Sequence, residues 1–414
     1  MIQVCDAIMG TGKSSAAITY MNEHKHEKFI YITPYLEEAE RIKKSCSGMM
    51  FVEPSSKIPK YHFKKCEHTA ALIKQGRNIT TTHQAFKNYT GEMLDDIRKH
   101  GYRLIVDENL DVLERYDFNG DDIRVALDAG LIVQNENSFS LAKPDYKGIV
   151  YRELCKFLQT RQLIQIEDPS GVHFHYWLLP PELMNAFQDV IILTYMFKGQ
   201  SLHHFLKIYN LPYTYIGIEK TEKGKYRFSN EVYYTPEYVS NLKNMIHILE
   251  DQKLNEIGDE RFSLSMSWYE KCPDEVKQLK NHVSNCFKNK WKGAAAIDRM
   301  WSTYSDCRQM ISGKGYTKAF LSFNMKATNA FRDKHYMAYP INIFMNVGEK
   351  TFYYRHGIKV NDDDYALSIM VQWIWRSAIR DGDSIYIYLP SKRMRELLID
   401  WIDRTSEGGN MIEQ

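Results

Sequence analysis

Near the N-terminus, Ala7-Ile-Met-Gly10-Thr11-Gly12-Lys13-Ser14 carries the spacing of a phosphate-binding loop. The strict pattern begins with Gly, where Ala7 stands here; Gly10, Gly12, Lys13 and Ser14 keep their places, and those are the positions with chemistry. Glycines at 10 and 12 let backbone N–H groups curl around phosphates. Lys13 reaches the β/γ oxygens, and Ser14 offers a hydroxyl to Mg²⁺ at the positive N-terminal end of a helix. The apolar run Ile2 to Cys5 reads as the preceding strand and Ser15 to Met21 as the following helix. A strand, a loop and a helix in that order commit the chain to an α/β fold with a parallel sheet and to nucleotide binding, with Gly10, Thr11, Gly12, Lys13 and Ser14 as the phosphate cradle.

The 414 residues are enough for two or three domains with sizeable cores, and 44% hydrophobic with 26% charged residues is an ordinary globular balance. No apolar run approaches the ~20 residues of a membrane span, and the phosphate loop occupies the place of a signal peptide. A cytoplasmic protein without membrane association is expected. Seven cysteines are scattered without a C-x-x-C pair, which reads as reduced thiols. A net charge of +2 neither announces nor excludes nucleic acid, because a backbone-gripping protein need only line one groove with Lys and Arg.

A second signature lies at Arg103-Leu-Ile-Val-Asp107-Glu108, where a buried-strand pattern ends in two adjacent acids. At a strand tip, Asp107 is placed to hold Mg²⁺ with Ser14, and Glu108 to orient and deprotonate an attacking water. Between the two signatures, Phe29 to Ile42 and Asn78 to Phe86 read as strand–turn–helix units, in which Thr33-Pro34 stops one strand and Thr80 to Thr82 presents hydroxyls at the end of another.

In order and type these segments resemble the motifs of the superfamily 2 DExD/H-type helicases and translocases, in a divergent form like those encoded by bacteriophages. Ala7 to Ser14 is similar to motif I, Thr33-Pro34 to motif Ia, Thr80-Thr81-Thr82-His83 to motif Ib, and Asp107-Glu108-Asn109-Leu110 to motif II. Ile191 to Phe197, with Thr194, resembles motif III; Asn324 to Asp333, with Lys326, falls where motif V belongs; Gln372-Trp-Ile-Trp-Arg376-Ser-Ala-Ile-Arg380 is similar to motif VI. The resemblance implies two tandem RecA-like domains, 1–210 and 211–414, with mostly parallel sheets and ATP held between them with Mg²⁺. It implies backbone contacts to single-stranded or duplex nucleic acid, DNA favoured, from Thr33, Thr81, Thr82 and Lys326. Catalysis falls to Glu108, Gln372 and an arginine finger, Arg376 or Arg380, and a replication or recombination setting brings replication proteins as partners.

The motif VI stretch carries its own pattern. Acidic, cap-rich Asp362 to Asp364 and the stop at Asp381-Gly382 predict one helix over 365–380. On it Leu367, Met370, Val371, Ile374 and Ala378 share one side, while Gln372, Arg376 and Arg380 follow at i, i+4 and i+8 on another. Two insertions are expected: one over about 113–189, in which 163–177 alternates around Pro-Ser-Gly as a β-hairpin, and a polar helical one over about 238–301. Two rival readings share motifs I and II. One is a terminase-like packaging motor, which should end in a nuclease domain with dispersed carboxylates; the other is an ATP-gated nucleic-acid-binding or loader module that does not unwind.

Overall fold

The computed structural model describes residues 1–34, 36–325 and 330–407. Contacts divide the chain into two compact units.

The first unit comprises Met1–Ala7, Gly12–Tyr234 and Asn346–Val360. Its centre, among the described residues, is a six-stranded parallel sheet: β1 (Ile2–Asp6), β2 (Phe29–Thr33), β3 (Ile79–Thr82), β4 (Arg103–Asp107), β10 (Asp189–Thr194) and β11 (Tyr213–Tyr215), in the spatial order β11-β1-β10-β4-β2-β3. Every residue of β2 is buried, as are Leu104 to Asp107 of β4. A parallel sheet covered on both faces needs such unbroken apolar runs, which is why Phe-Ile-Tyr-Ile and Leu-Ile-Val form strands here. The helices α1 (Lys13–Glu23) and α2 (Leu36–Ser45) supply cover, with Ala17, Met21 and Ile42 sharing a core with Tyr31, Ile105 and Leu193.

Between β4 and β10 the chain leaves the parallel sheet and builds an antiparallel one: β5 (Leu113–Tyr116), β6 (Ile132–Asn135), β7 (Ser138–Leu141), β8 (Gln162–Glu167) and β9 (His173–Leu178), ordered β5-β9-β8-β7-β6. The expected hairpin is β8–β9, with Ile164 opposite Tyr176 and Ile166 opposite Phe174. Its turn is fixed by Asp168, whose carboxylate accepts from the N–H groups of Ser170 and Val172 at 2.8 and 2.9 Å, and by Gly171 at φ 84°. The segment Asn346–Val360 returns from far along the chain to this sheet. Tyr176 donates to Asn346 Oδ1 at 2.7 Å, and Arg355 to the Glu167 carbonyl at 2.8 Å.

After β11 a second hairpin, β12 (Gly217–Lys220) and β13 (Tyr226–Ser229), packs along α1. These contacts carry the first unit to Tyr234, where the sequence reading placed its boundary at 210.

The second unit comprises Ile8–Thr11, Thr235–Met345 and Asn361–Gln414. Among the described residues its sheet is four-stranded and parallel: β14 (Ile246–Ile248), β15 (Arg299–Trp301), β16 (Tyr336–Ala338) and β17 (Ile385–Tyr388), ordered β14-β17-β16-β15. The expected helical segment 238–301 holds β14 and the helices Met266–Lys271 and Pro273–Asn285. Val276, Leu279 and Val283 repeat at helical spacing and are buried with Trp301 and Tyr388, so this segment supplies core to its unit.

The helix expected over 365–380 is shorter and begins earlier. It runs Asp362–Ile374, capped by the Asn361 side chain, and a 3₁₀ turn Ala378–Asp381 follows. The Ser377 hydroxyl donates to the Ile374 carbonyl at 2.6 Å and the Ser377 backbone is extended, which diverts the chain out of the helix. Gln372, Arg376 and Arg380 therefore do not form one row on one helix face: Gln372 lies on the helix, Arg376 follows its end, and Arg380 lies in the 3₁₀ turn.

Both units are α/β with parallel sheets, as two tandem RecA-like domains require, and both β-hairpin and helical additions are present. None of the seven cysteines forms a disulfide. Among the described residues, no helix is long and apolar enough to cross a membrane.

Candidate nucleotide-binding site

In parallel α/β sheets the strand ends that carry ligands are the carboxyl ends, because the helix N-termini and turning loops gather there. Here β1 ends at Asp6 and turns into the phosphate loop, β4 ends at Asp107, β10 at Thr194, β2 at Thr33 and β3 at Thr82. The segments matched to motifs I, Ia, Ib, II and III thus meet at one edge of one sheet.

The loop has the backbone a phosphate cradle needs. Gly10 and Gly12 lie at φ 88° and 89°, where a side chain is strained, and Gly12 stands directly before the first residue of α1. Thr11 is buried and its hydroxyl donates to the Ile8 carbonyl at 2.8 Å, closing the turn. The Lys13 ammonium donates to the Ala7 carbonyl, so the side chain folds over the loop it serves. Burial lowers the pKa of Lys13; Cys5, Asp6, Asp107 and Glu108 act in the opposite direction.

The Ser14 hydroxyl stands 3.5 Å from Asp107 Oδ1. A hydroxyl and a carboxylate so placed are a fitting pair for Mg²⁺, which keeps several waters and takes few protein ligands. Asp107 is buried, and its pKa is pushed up to about 7, first by that burial and then by the negative charges of Glu38 and Glu108. The buried Tyr31 hydroxyl, beside Ser14 and Asp107, works the other way, as does Lys13. A divalent cation would reverse this balance by favouring the carboxylate. Among the described residues there is no cluster of three or more His, Cys, Asp or Glu that could hold a metal ion.

Glu108 follows Asp107 in a left-handed conformation, φ 64°, with its N–H on the Leu193 carbonyl at 2.9 Å. A non-glycine residue held there by a neighbouring strand marks a position the surroundings over-determine. The bend turns Glu108 out of the strand, half-buried.

Four supporting contacts carry no local sequence signal. His83 donates from Nε2 to the Asp107 carbonyl at 2.9 Å, tying the end of β3 to the end of β4. The Asp6 carboxylate accepts from the Phe197 N–H at 2.9 Å, and the Ala7 N–H donates to the Thr194 carbonyl at 3.1 Å, which joins the root of the phosphate loop to the motif III segment. The Thr194 hydroxyl is bonded to Gln200 at 2.8 Å.

The residues assigned to nucleic acid are less uniform. Thr33 and Thr81 are fully buried, each with a hydroxyl that has no hydrogen-bond partner among the described residues, and Thr82 uses its hydroxyl to cap the helix His83–Phe86 through the Ala85 N–H at 3.3 Å. Lys326 lies outside the described residues. In the second unit Gln372 is half-buried, Arg376 buried and Arg380 exposed; Arg332 of the motif V segment is paired with Asp381.

With this geometry in hand, known proteins give the following likenesses. A solved XPD structure, XPD_APO, matches 96% of this chain and 95% of its own at 11% identity with a TM-score of 0.54, a likeness of fold alone. A second, XPD_Helicase, matches at 11% identity and a TM-score of 0.47, over 96% of this chain and 94% of its own. The fold of this chain is thus similar to that of the XPD_APO structure. Residues 240–402 match the family described as the YonV C-terminal Rossmann-like domain. The SPbeta prophage-derived uncharacterized protein YonV of Bacillus subtilis (strain 168) is 34% identical over 416 residues, covering 97% of this chain and 98% of its own length. That identity and coverage place the chain in the YonV family.

Proposed function

We propose that this chain is an ATP-dependent helicase or translocase acting on nucleic acid, DNA in preference, in phage replication or recombination. The observation that carries the reading is the convergence of Lys13, Ser14, Asp107 and Glu108 at the carboxyl edge of one sheet, from loops 93 residues apart. Ser14 and Asp107 would hold Mg²⁺, which would supply positive charge to neutralise the phosphates. Gly10, Thr11 and Gly12 present backbone N–H groups to the phosphates, and Lys13 leaves the Ala7 carbonyl for the β/γ oxygens.

Glu108 takes the role of base. In this role its carboxylate orients a water in line with the γ-phosphorus and accepts its proton. Arg376 or Arg380 supplies the guanidinium that stabilises the charge developing on the transferred phosphoryl group, and Gln372 is the other residue of the second unit assigned to catalysis. The Asp6–Phe197 and Ala7–Thr194 hydrogen bonds give a route by which a change in the loop is felt in the motif III segment.

The experiment that tests this reading is hydrolysis of ATP by the full chain with and without single-stranded DNA, duplex DNA and RNA. Hydrolysis stimulated by one of them supports a nucleic-acid motor. Tight ATP-dependent binding of nucleic acid without turnover supports the gated-module alternative.

A further inference from the structure

The hairpin β12–β13 touches the phosphate loop and has no place in the motif assignments. A Cβ built on Gly12 would lie 2.4 Å from Cδ1 and 2.6 Å from Cγ of Tyr226, so the tyrosine ring rests directly on the glycine's α-carbon. The hairpin is held there by contacts that do not involve this ring. Ile216 and Ile218, at and just before β12, are buried in the same core as Cys5, Ala17 and Met21; Arg227 pairs with Glu23 at 2.7 Å; and the Phe228 ring lies 5.9 Å from Tyr20.

Tyr226 is left half-buried at the N-terminal end of α1, in aromatic company. The Tyr234 ring centroid lies 6.0 Å away at 57°. The exposed Lys220 ammonium lies 5.9 Å from the Tyr226 centroid and 5.2 Å from that of Tyr234, and 3.4 Å from the Tyr234 hydroxyl. Two partly exposed rings and a cation therefore stand beside the loop that the phosphates would occupy, on a rigid support. An aromatic face stacks on a heterocyclic base because both are flat, apolar and polarisable, and an ammonium donates to ring nitrogens and carbonyl oxygens.

We propose that Tyr226, with Tyr234 and Lys220, is the base-recognition face of the nucleotide site: Tyr226 stacks on a purine, and Lys220 donates to an acceptor on its edge. The proposal rests on the nucleotide-binding reading of the phosphate loop. It assigns base selection to a hairpin that follows the last strand of the first sheet, some 214 residues after the loop it completes.

The test is equilibrium binding of ATP, GTP, CTP, UTP and inorganic tripolyphosphate, each with Mg²⁺, to the full chain and to Tyr226→Ala, Tyr226→Phe and Lys220→Ala. The native chain should prefer purine to pyrimidine nucleotides. Tyr226→Ala should lose about tenfold to a hundredfold in purine affinity, the range expected of one base–aromatic stack, and keep tripolyphosphate affinity within about twofold. Tyr226→Phe should retain purine binding, and Lys220→Ala, altered at an exposed site away from Gly12, should narrow the gap between purines and pyrimidines. Equal losses for ATP and tripolyphosphate in Tyr226→Ala would overturn the proposal, showing a ring that only braces the loop. So would unchanged ATP affinity in that variant, or a native chain without base preference. A native chain that binds neither ATP nor tripolyphosphate overturns the phosphate-loop reading itself, a result distinct from the others.

Discussion

Ser14 and Asp107 place a hydroxyl and a carboxylate oxygen 3.5 Å apart although 93 residues separate them in the chain. One opens the helix after β1 and the other closes β4, and the two strands are not neighbours, since β10 runs between them. Nothing in either segment alone calls for this proximity. It comes from the order β1-β10-β4, which sets both strand ends on the same edge, and it is the arrangement on which Mg²⁺ binding would rest.

Lys13 and Glu108 should separate binding from chemistry. Lys13→Ala removes the charge that meets the β/γ-phosphates, so both nucleotide affinity and hydrolysis should fall. Glu108→Gln keeps the shape but cannot accept a proton, so hydrolysis should collapse while ATP binding, measured by titration calorimetry, survives. Near-native turnover in Glu108→Gln would make the acid pair structural.

Asp107 gives the metal-free protein a pH signature with a definite sign. Burial raises its folded pKa from 3.8 to about 7, so the folded chain holds the proton that the unfolded chain loses between about pH 4 and 7. The stability that follows from this is complete below about pH 4 and is lost as pH rises through 7. Asp107→Asn holds a neutral group in the same place. Its melting temperature should exceed the native one at pH 8, by an amount that shrinks as pH falls toward 4. Magnesium nucleotide should stabilise the native chain more at pH 8 than at pH 6, because the metal needs the ionised form. A difference between variant and native melting that does not change with pH would exclude the raised carboxyl.

Arg376 and Arg380 differ in exposure, and the finger can be identified by replacing each. Arg-to-Ala at the finger should cut stimulated hydrolysis by roughly 10³–10⁵ while ATP affinity changes little, since the group acts on the transition state. Arg376 is buried, so the Arg376→Ala comparison needs a melting curve alongside it. Normal hydrolysis in both single variants and in the double variant would remove Arg376 and Arg380 from the catalytic account.

Nucleic-acid affinity should be electrostatic in origin. Binding to an oligonucleotide, followed by fluorescence anisotropy across a salt series, should weaken linearly in log–log form with a slope of about −0.9 per duplex phosphate engaged or about −0.7 for a single strand. A flat response would point to a protein substrate.

How far the sequence reveals the site depends on the range of the signal. The phosphate loop, the Asp107-Glu108 strand end and the hairpin around Asp168 to Gly171 are legible because each needs only residues a few positions apart and a backbone those residues favour. The fold class follows from them, since alternating strand and helix patterns with phosphate-loop chemistry leave few alternatives to a parallel sheet. The end of the motif VI helix is not legible: the apolar repeat continues past Ile374, while in the structure the Ser377 hydroxyl turns back to the Ile374 carbonyl and the Ala378 N–H goes to the Lys334 carbonyl. Asp6, His83 and Tyr226 are equally silent. Their places in the site exist only in contacts with Phe197, Asp107 and Gly12. Burial of Thr33 and Thr81 likewise depends on neighbours that the sequence does not place.

The most direct measurement is steady-state ATP hydrolysis by the native chain and by Glu108→Gln, each alone and with single-stranded DNA, duplex DNA or RNA at low salt. The account predicts slow hydrolysis by the native chain alone, faster hydrolysis with its preferred nucleic acid, DNA, and none above background in Glu108→Gln under any condition. Hydrolysis that is indifferent to every nucleic acid, or that persists in Glu108→Gln, would contradict it.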